Sequence, residues 1–155
     1  MYNSIPMIMT GFRWLVFHAS LVAYSLARVA RQSPATDVAI TMREYSFEMD
    51  SVLTAGEQRV TLRNAGRQAH LVLVTRLAPG KTSSDVMAWL AHSEQPAPGE
   101  VVVATPEFKA GRDTVVTLNL TPGRYSLVCT VRGWWWRPHY KSGMSRDIAV
   151  TESSR

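Results

Sequence analysis

Along most of this chain apolar and polar residues alternate with a period of two, the spacing of half-buried strands rather than of helices. In VAITMREYSF (38–47) Ile40 and Met42 share a side, and Tyr45 and Phe47 follow less regularly. RVTLRNAG (59–66) puts Val60 and Leu62 on one face and stops at Asn64-Ala65-Gly66. AHLVLVTRL (69–77) is apolar on both faces, which predicts a buried strand, and Pro79-Gly80 ends it. Strand patterning returns in VVVAT (101–105), DTVVTLNL (113–120), RYSLVCTV (124–131) and RDIAVT (146–151), between turns rich in Pro and Gly. Asp50 to Glu57 reads as a turn region around Gly56. Only Thr82 to His92 has helical spacing: Val86, Trp89 and Leu90 fall at i, i+3 and i+4, and Thr82 with Asp85 resembles an acidic capping box. About seven strands, one short helix and evenly spaced turns predict an all-β sandwich.

The N-terminal segment breaks this pattern. Arg13 precedes WLVFHASLVAYSLA, an apolar run without acidic residues that ends in the small-x-small triplet Ser25-Leu26-Ala27. A positive residue, an apolar centre and such an ending describe a secretory signal peptide over residues 1–27. The alternative is a retained N-terminal anchor, for which the run is short of the roughly 20 apolar residues a bilayer span needs. Residues 28–37 read as a polar linker, leaving 38–152 as one domain, a length that buries about two-thirds of its unfolded surface. Export places the protein in the periplasm or outside the cell.

Formal charge is +5, and +4 without residues 1–27, where Arg13 is the one charged residue. This mild excess has none of the Lys/Arg runs of a nucleic-acid binder. Glycine patterns that cradle phosphates or dinucleotides are missing as well.

Cys129 is the single cysteine, so an internal disulfide is impossible and three roles remain: an intermolecular bridge, a free thiol or a metal ligand. A free thiol in an oxidising compartment is open to oxidation unless it is buried or coordinated. Cys129 lies in a strand whose Tyr125, Leu127 and Val131 share its face, so a small buried hydrophobe is the plain alternative. His139 and Met144 follow. Gly143 can supply the positive φ of a tight return, and Pro138 fixes the approach to the histidine. On their own these two would be a loop histidine and a core methionine. His70 opens the apolar LVLV run, where an unpaired imidazole costs about 1–3 kcal/mol, so a metal or a specific acceptor is expected beside it. Two imidazoles, a thiolate and a thioether are the donor set of a blue-copper electron-transfer site.

The segments RNAGRQAHLVLVTRLAPG and TPGRYSLVCTVRGWWWRPHYKSGM resemble the two halves of the copper site in plastocyanin-like cupredoxins. There the first histidine follows an Asn-x-Gly turn, and a Pro-Gly-x-Tyr corner leads into Cys, then His, then Gly-Met. The resemblance covers most of 38–151. It implies a Greek-key β-sandwich of eight strands with one mononuclear type I copper at one end. By position it gives His70, Cys129 and His139 as equatorial ligands and Met144 as the axial one. Tyr125 matches a tyrosine corner. Two departures stand out: nine residues separate Cys129 from His139, more than in plastocyanin or azurin, and Leu71 stands where plastocyanins brace the ligand loop with asparagine.

The long loop carries Trp134, Trp135, Trp136 and Arg137. At least one tryptophan is expected to shield the metal edge and at least one to be exposed. An exposed indole with Arg132, Arg137 and Lys141 around it would suit docking of a redox protein partner. The leading expectation is an exported, monomeric single-electron carrier, touching a membrane only if residues 1–27 are retained. Its competitors are a copper-handling or accessory module, and a cupredoxin-like domain that is metal-free or takes zinc. Four histidines in the whole chain argue against an enzyme, since a copper oxidase or nitrite reductase needs a second, histidine-rich site.

Overall fold

The computed structural model describes residues 35–92 and 94–152; the expected signal segment and most of the linker fall outside them. Among the described residues the alternating segments become nine strands in two sheets. One sheet has the order β2-β1-β4-β7, from β1 (Thr36–Arg43), β2 (Ser46–Glu48), β4 (Gly56–Asn64) and β7 (Asp113–Leu120). The other runs β3-β9-β8-β5-β6, from β3 (Val52–Thr54), β5 (Leu73–Leu77), β6 (Gly99–Ala104), β8 (Gly123–Val128) and β9 (Ser145–Thr151). β1 pairs parallel to β4, and β3 parallel to β9; the remaining pairs are antiparallel.

Period-two burial sets which face of each strand is core. Val60 and Leu62 on β4 turn inward with Ile40, Met42 and Phe47, and meet Tyr125, Leu127, Ile148 and Val150 from the facing sheet. β8 is buried on both faces because helix α1 (Ser83–Ala91) covers its outer side, where Val86 and Val128 pack with Leu77 and Tyr140. Burying Val86 completely contributes about 1.5–3 kcal/mol to holding the helix there. Met87 and Leu90 complete its packed stripe, while Trp89 is only half-buried. The helix starts where expected: the Asp85 carboxylate turns back to accept from the amide and hydroxyl of Thr82, at 2.9 and 3.1 Å.

Four segments differ from the sequence expectation, the first being the 124–131 strand, which stops at Val128 and leaves Cys129 just beyond it. The Asp50–Glu57 turn region contains strand β3, only three residues long and so without enough alternation to read. The 38–47 segment breaks into β1 and β2 at Glu44-Tyr45. The expected 69–77 strand begins at Leu73, because His70 forms its own bridge to Phe108 and the Val72 amide donates to the Thr105 hydroxyl at 3.0 Å. The tyrosine corner is present. The Tyr125 hydroxyl donates to the Thr121 carbonyl at 2.9 Å and accepts from the Thr121 amide at 3.1 Å, fixing the entry into β8.

Candidate metal centre

β1, β4 and β8 finish at the end of the sandwich where β5 and β9 begin, so their connections meet there. Cys129 is the first residue past β8, and its backbone is tied on both sides. Its carbonyl accepts from the Tyr140 amide at 3.0 Å and its amide donates to the Met144 carbonyl at 3.2 Å. The chain between runs out as a narrow loop, closed by an Arg132–Pro138 bridge, and returns with the His139 amide on the Val131 carbonyl at 2.8 Å. A 3₁₀ turn over His139–Ser142 then carries it into Gly143, whose φ of +100° is the left-handed conformation expected there. On the other side His70 is held by reciprocal bonds with Phe108, at 3.1 and 2.9 Å.

These constraints bring three donor atoms together. Nδ1 of His70 and Nδ1 of His139 are 3.1 Å apart, and Cys129 Sγ is 3.8 Å from the first and 3.5 Å from the second. The centre of a triangle with those sides lies about 2.0 Å from each corner. Imidazole nitrogen binds a zinc-sized first-row ion at about 2.0–2.1 Å and thiolate sulfur at about 2.3 Å, so the three donors stand at the spacing one ion would need. All three residues and Met144 are fully buried. His70, Cys129 and His139 thus come together as the sequence predicted, and they fit one mononuclear type I copper site. Met144 lies at the return of the same loop, its backbone bonded to Cys129 and to the His139 carbonyl.

Burial pushes the pKa of both histidines below the usual imidazole value; proximity to the other ring lowers His139 further, and Glu44 partly offsets the effect at each. Burial pushes the Cys129 thiol up. The outer nitrogens of the two imidazoles decide which way the rings face. His139 Nε2 lies 3.4 Å from Gln68 Oε1, an oxygen because the Gln68 amide nitrogen donates to the Tyr45 hydroxyl at 3.1 Å. His70 Nε2 lies 3.5 Å from Glu44 Oε1, an electrostatic contact too poorly aligned for a hydrogen bond. With a carboxylate and an amide oxygen outside the two rings, a proton on each Nε2 would turn both Nδ1 lone pairs inward, the arrangement a bound cation needs.

Glu44, Tyr45, Gln68 and Asn64 support the site and were not singled out from sequence. Asn64 is buried and spans the turn, donating to the Gln68 and Phe108 carbonyls at 2.8 and 3.1 Å and accepting from the Gly66 amide at 3.0 Å. The bracing that Leu71 cannot give thus comes from the opposite end of the loop. The Asn-x-Gly turn was a readable signal for Asn64; nothing marked Glu44, which arrives from a different sheet.

The expectation that a tryptophan shields the metal edge is overturned. Trp134, Trp135 and Trp136 are 69%, 94% and 80% exposed. The Arg132–Pro138 bridge and the bond from the Gly133 amide to the Arg137 carbonyl, 3.0 Å, pinch the loop and push all three out at its tip. Tyr45 does the shielding, its ring edge-on to His139 with centroids 5.0 Å apart.

No protein-family model matches this sequence, and no curated protein matches it either. Solved structures do resemble it. Dithionite-reduced auracyanin from the photosynthetic bacterium Roseiflexus castenholzii is 19% identical, with a TM-score of 0.54 over 77% of this chain and 99% of its own. Auracyanin A, a "blue" copper protein from the green thermophilic bacterium Chloroflexus aurantiacus, is 22% identical, with a TM-score of 0.50 over 76% and 99%. Reduced rusticyanin is 21% identical, with a TM-score of 0.50 over 78% and 82%. The domain has the cupredoxin fold.

Proposed function

We propose that this chain is an exported type I copper protein that carries single electrons. The observation behind this reading is the buried set of two imidazole Nδ1 atoms and one sulfur at the spacing of a single ion. His70, Cys129 and His139 would supply the strong donors, and the Met144 thioether a weak one. When bound, the copper supplies a one-electron Cu(I)/Cu(II) couple. The chain holds the donors rigid through the Cys129 backbone bonds, orients the imidazoles through Glu44 and Gln68, and keeps water away by burial. In this reading it shuttles electrons and is not an enzyme.

Adding Cu(II) to the metal-free protein tests it. An intense visible thiolate-to-copper band that saturates at one copper per chain, and that Cys129→Ser abolishes, is the expected result. A colourless titration with the thiol intact overturns the reading. Reversible one-electron reduction separates electron carriage from copper handling.

A redox protein partner docks at the exposed Trp134–Trp136 tip, where Arg137, Arg132 and Lys141 form the rim. No helix among the described residues is long and apolar enough to cross a membrane. The residue 1–27 pattern supports export, and an N-terminus beginning near Arg28 on protein recovered outside the cytoplasm is the expected observation. The domain acts as a monomer.

A further inference from the structure

The β1–β2 turn is remote in sequence from both ligand loops, yet its Glu44 reaches the outer edge of His70. One carboxylate oxygen, Oε1, accepts from the amides of Arg67 and Gln68 at 2.6 and 2.7 Å and stands 3.5 Å from His70 Nε2. That nitrogen is fully buried and has no hydrogen-bond partner among the described residues, so Glu44 is its nearest means of compensation. The approach is built into the backbone. A Cβ on Gly66 would come within 2.6 Å of Glu44 Oε1 and 2.9 Å of His70 Nε2, so only glycine lets carboxylate and ring lie together against this turn. The other ring nitrogen points at Cys129 and His139.

We propose that Glu44 is a positioning residue for the metal site: it keeps the His70 proton on Nε2, so that Nδ1 offers its lone pair, and its negative charge biases the site towards the more highly charged, oxidised ion. The two amide bonds hold the carboxylate in place. The charge therefore sits at a fixed position, as part of the loop that presents the ligand. This inference rests on the copper reading for its second half only; the tautomer is a property of the protein with or without metal.

The experiment has two arms on the full chain. Nitrogen-15 NMR of the metal-free wild type reads the His70 tautomer directly: protonated Nε2 with bare Nδ1 is expected, and the reverse tautomer overturns the proposal even if copper binds. In the second arm wild type, Glu44→Gln and Glu44→Asp are loaded with copper and their potentials measured. Glu44→Gln keeps an oxygen for the two amides and loses the charge. It should retain the visible band at one copper per chain while Cu(II) affinity falls about tenfold relative to Cu(I), a rise of about 59 mV for a one-electron couple. Glu44→Asp keeps the charge on a shorter arm and should fall between the two. An unchanged potential in Glu44→Gln reduces Glu44 to a loop clamp and sinks the proposal. A wild type that takes up no copper but shows the expected tautomer would instead sink the copper reading and leave the positioning role standing.

Discussion

The amide of Cys129 donates to the carbonyl of Met144 at 3.2 Å, so the segment from the thiol to the thioether begins and ends on one hydrogen bond. Fourteen residues leave and return within that span, including three tryptophans. The closing bond depends on Gly143, which lets the chain reverse immediately before Met144.

Gly143→Ala should therefore cost about 1–2 kcal/mol of stability in urea unfolding. The φ of +100° is the reason; a Cβ there would have nothing within 4 Å, so no steric clash adds to it. Gly80, with φ of +76° and equally open space, is the control. Both alanine variants should lose comparable stability, and only Gly143→Ala should also perturb the visible copper band.

Gly133→Ala should do the reverse. Its φ of −83° suits alanine, but a Cβ would come within 2.7 Å of both Gln68 Oε1 and His139 Nε2. The bare backbone at Gly133 is what lets Gln68 reach His139. Forcing them apart loosens the ring while the fold survives, and a 10–100-fold loss of copper affinity is the expected scale for such an outer contact. Competition against a chelator of known strength measures it, with unfolding followed in parallel.

Acid and base should both destabilise the metal-free protein, through different residues. His70 and His139 have pKa values held below their ordinary 6.5, so folding favours the neutral rings; that stability is complete above pH 6.5 and is lost as pH falls through the lowered values. Cys129 has its pKa raised above 9.0, so folding favours the thiol; that stability is complete below pH 9.0 and is lost as pH rises towards the raised value. The melting temperature of metal-free protein should plateau between about 6.5 and 9.0. Replacing Cys129 with Ser should remove the alkaline fall and leave the acid one.

The sandwich was legible because alternation is a local property, and the convergence of His70, Cys129 and His139, up to 69 positions apart, came from the resemblance to the cupredoxin copper site. The sequence did not carry β3, too short for a period of two to show, nor the break at Glu44-Tyr45 that makes one apolar run into two strands. That break matters most for the site, since it delivers Glu44 beside His70 and Tyr45 beside His139 across 26 and 94 residues of chain. No spacing rule links residues that distant. The tryptophans misled for a related reason: apolar character predicts burial only where the backbone allows it, and at Trp135 and Trp136 the left-handed φ values of 65° and 59° turn the chain outward.

Those exposed indoles lead to the last prediction. Replacing Trp134, Trp135 and Trp136 with alanine removes side chains that bury little in the monomer, so stability should stay within about 0.5 kcal/mol of wild type. The donors, shielded by Tyr45 and Gln68, should keep their visible band. With the tip as the proposed docking face, electron self-exchange between Cu(I) and Cu(II) forms, followed by NMR line broadening, should nevertheless slow about tenfold, because the lost apolar area weakens the encounter of two tips. Arg132, Arg137 and Lys141 repel their counterparts in this encounter, so wild-type exchange should speed up with added salt; with an acidic partner the same charges attract and salt should slow transfer. A triple variant whose exchange matches wild type at every ionic strength would mean that electrons leave by another face.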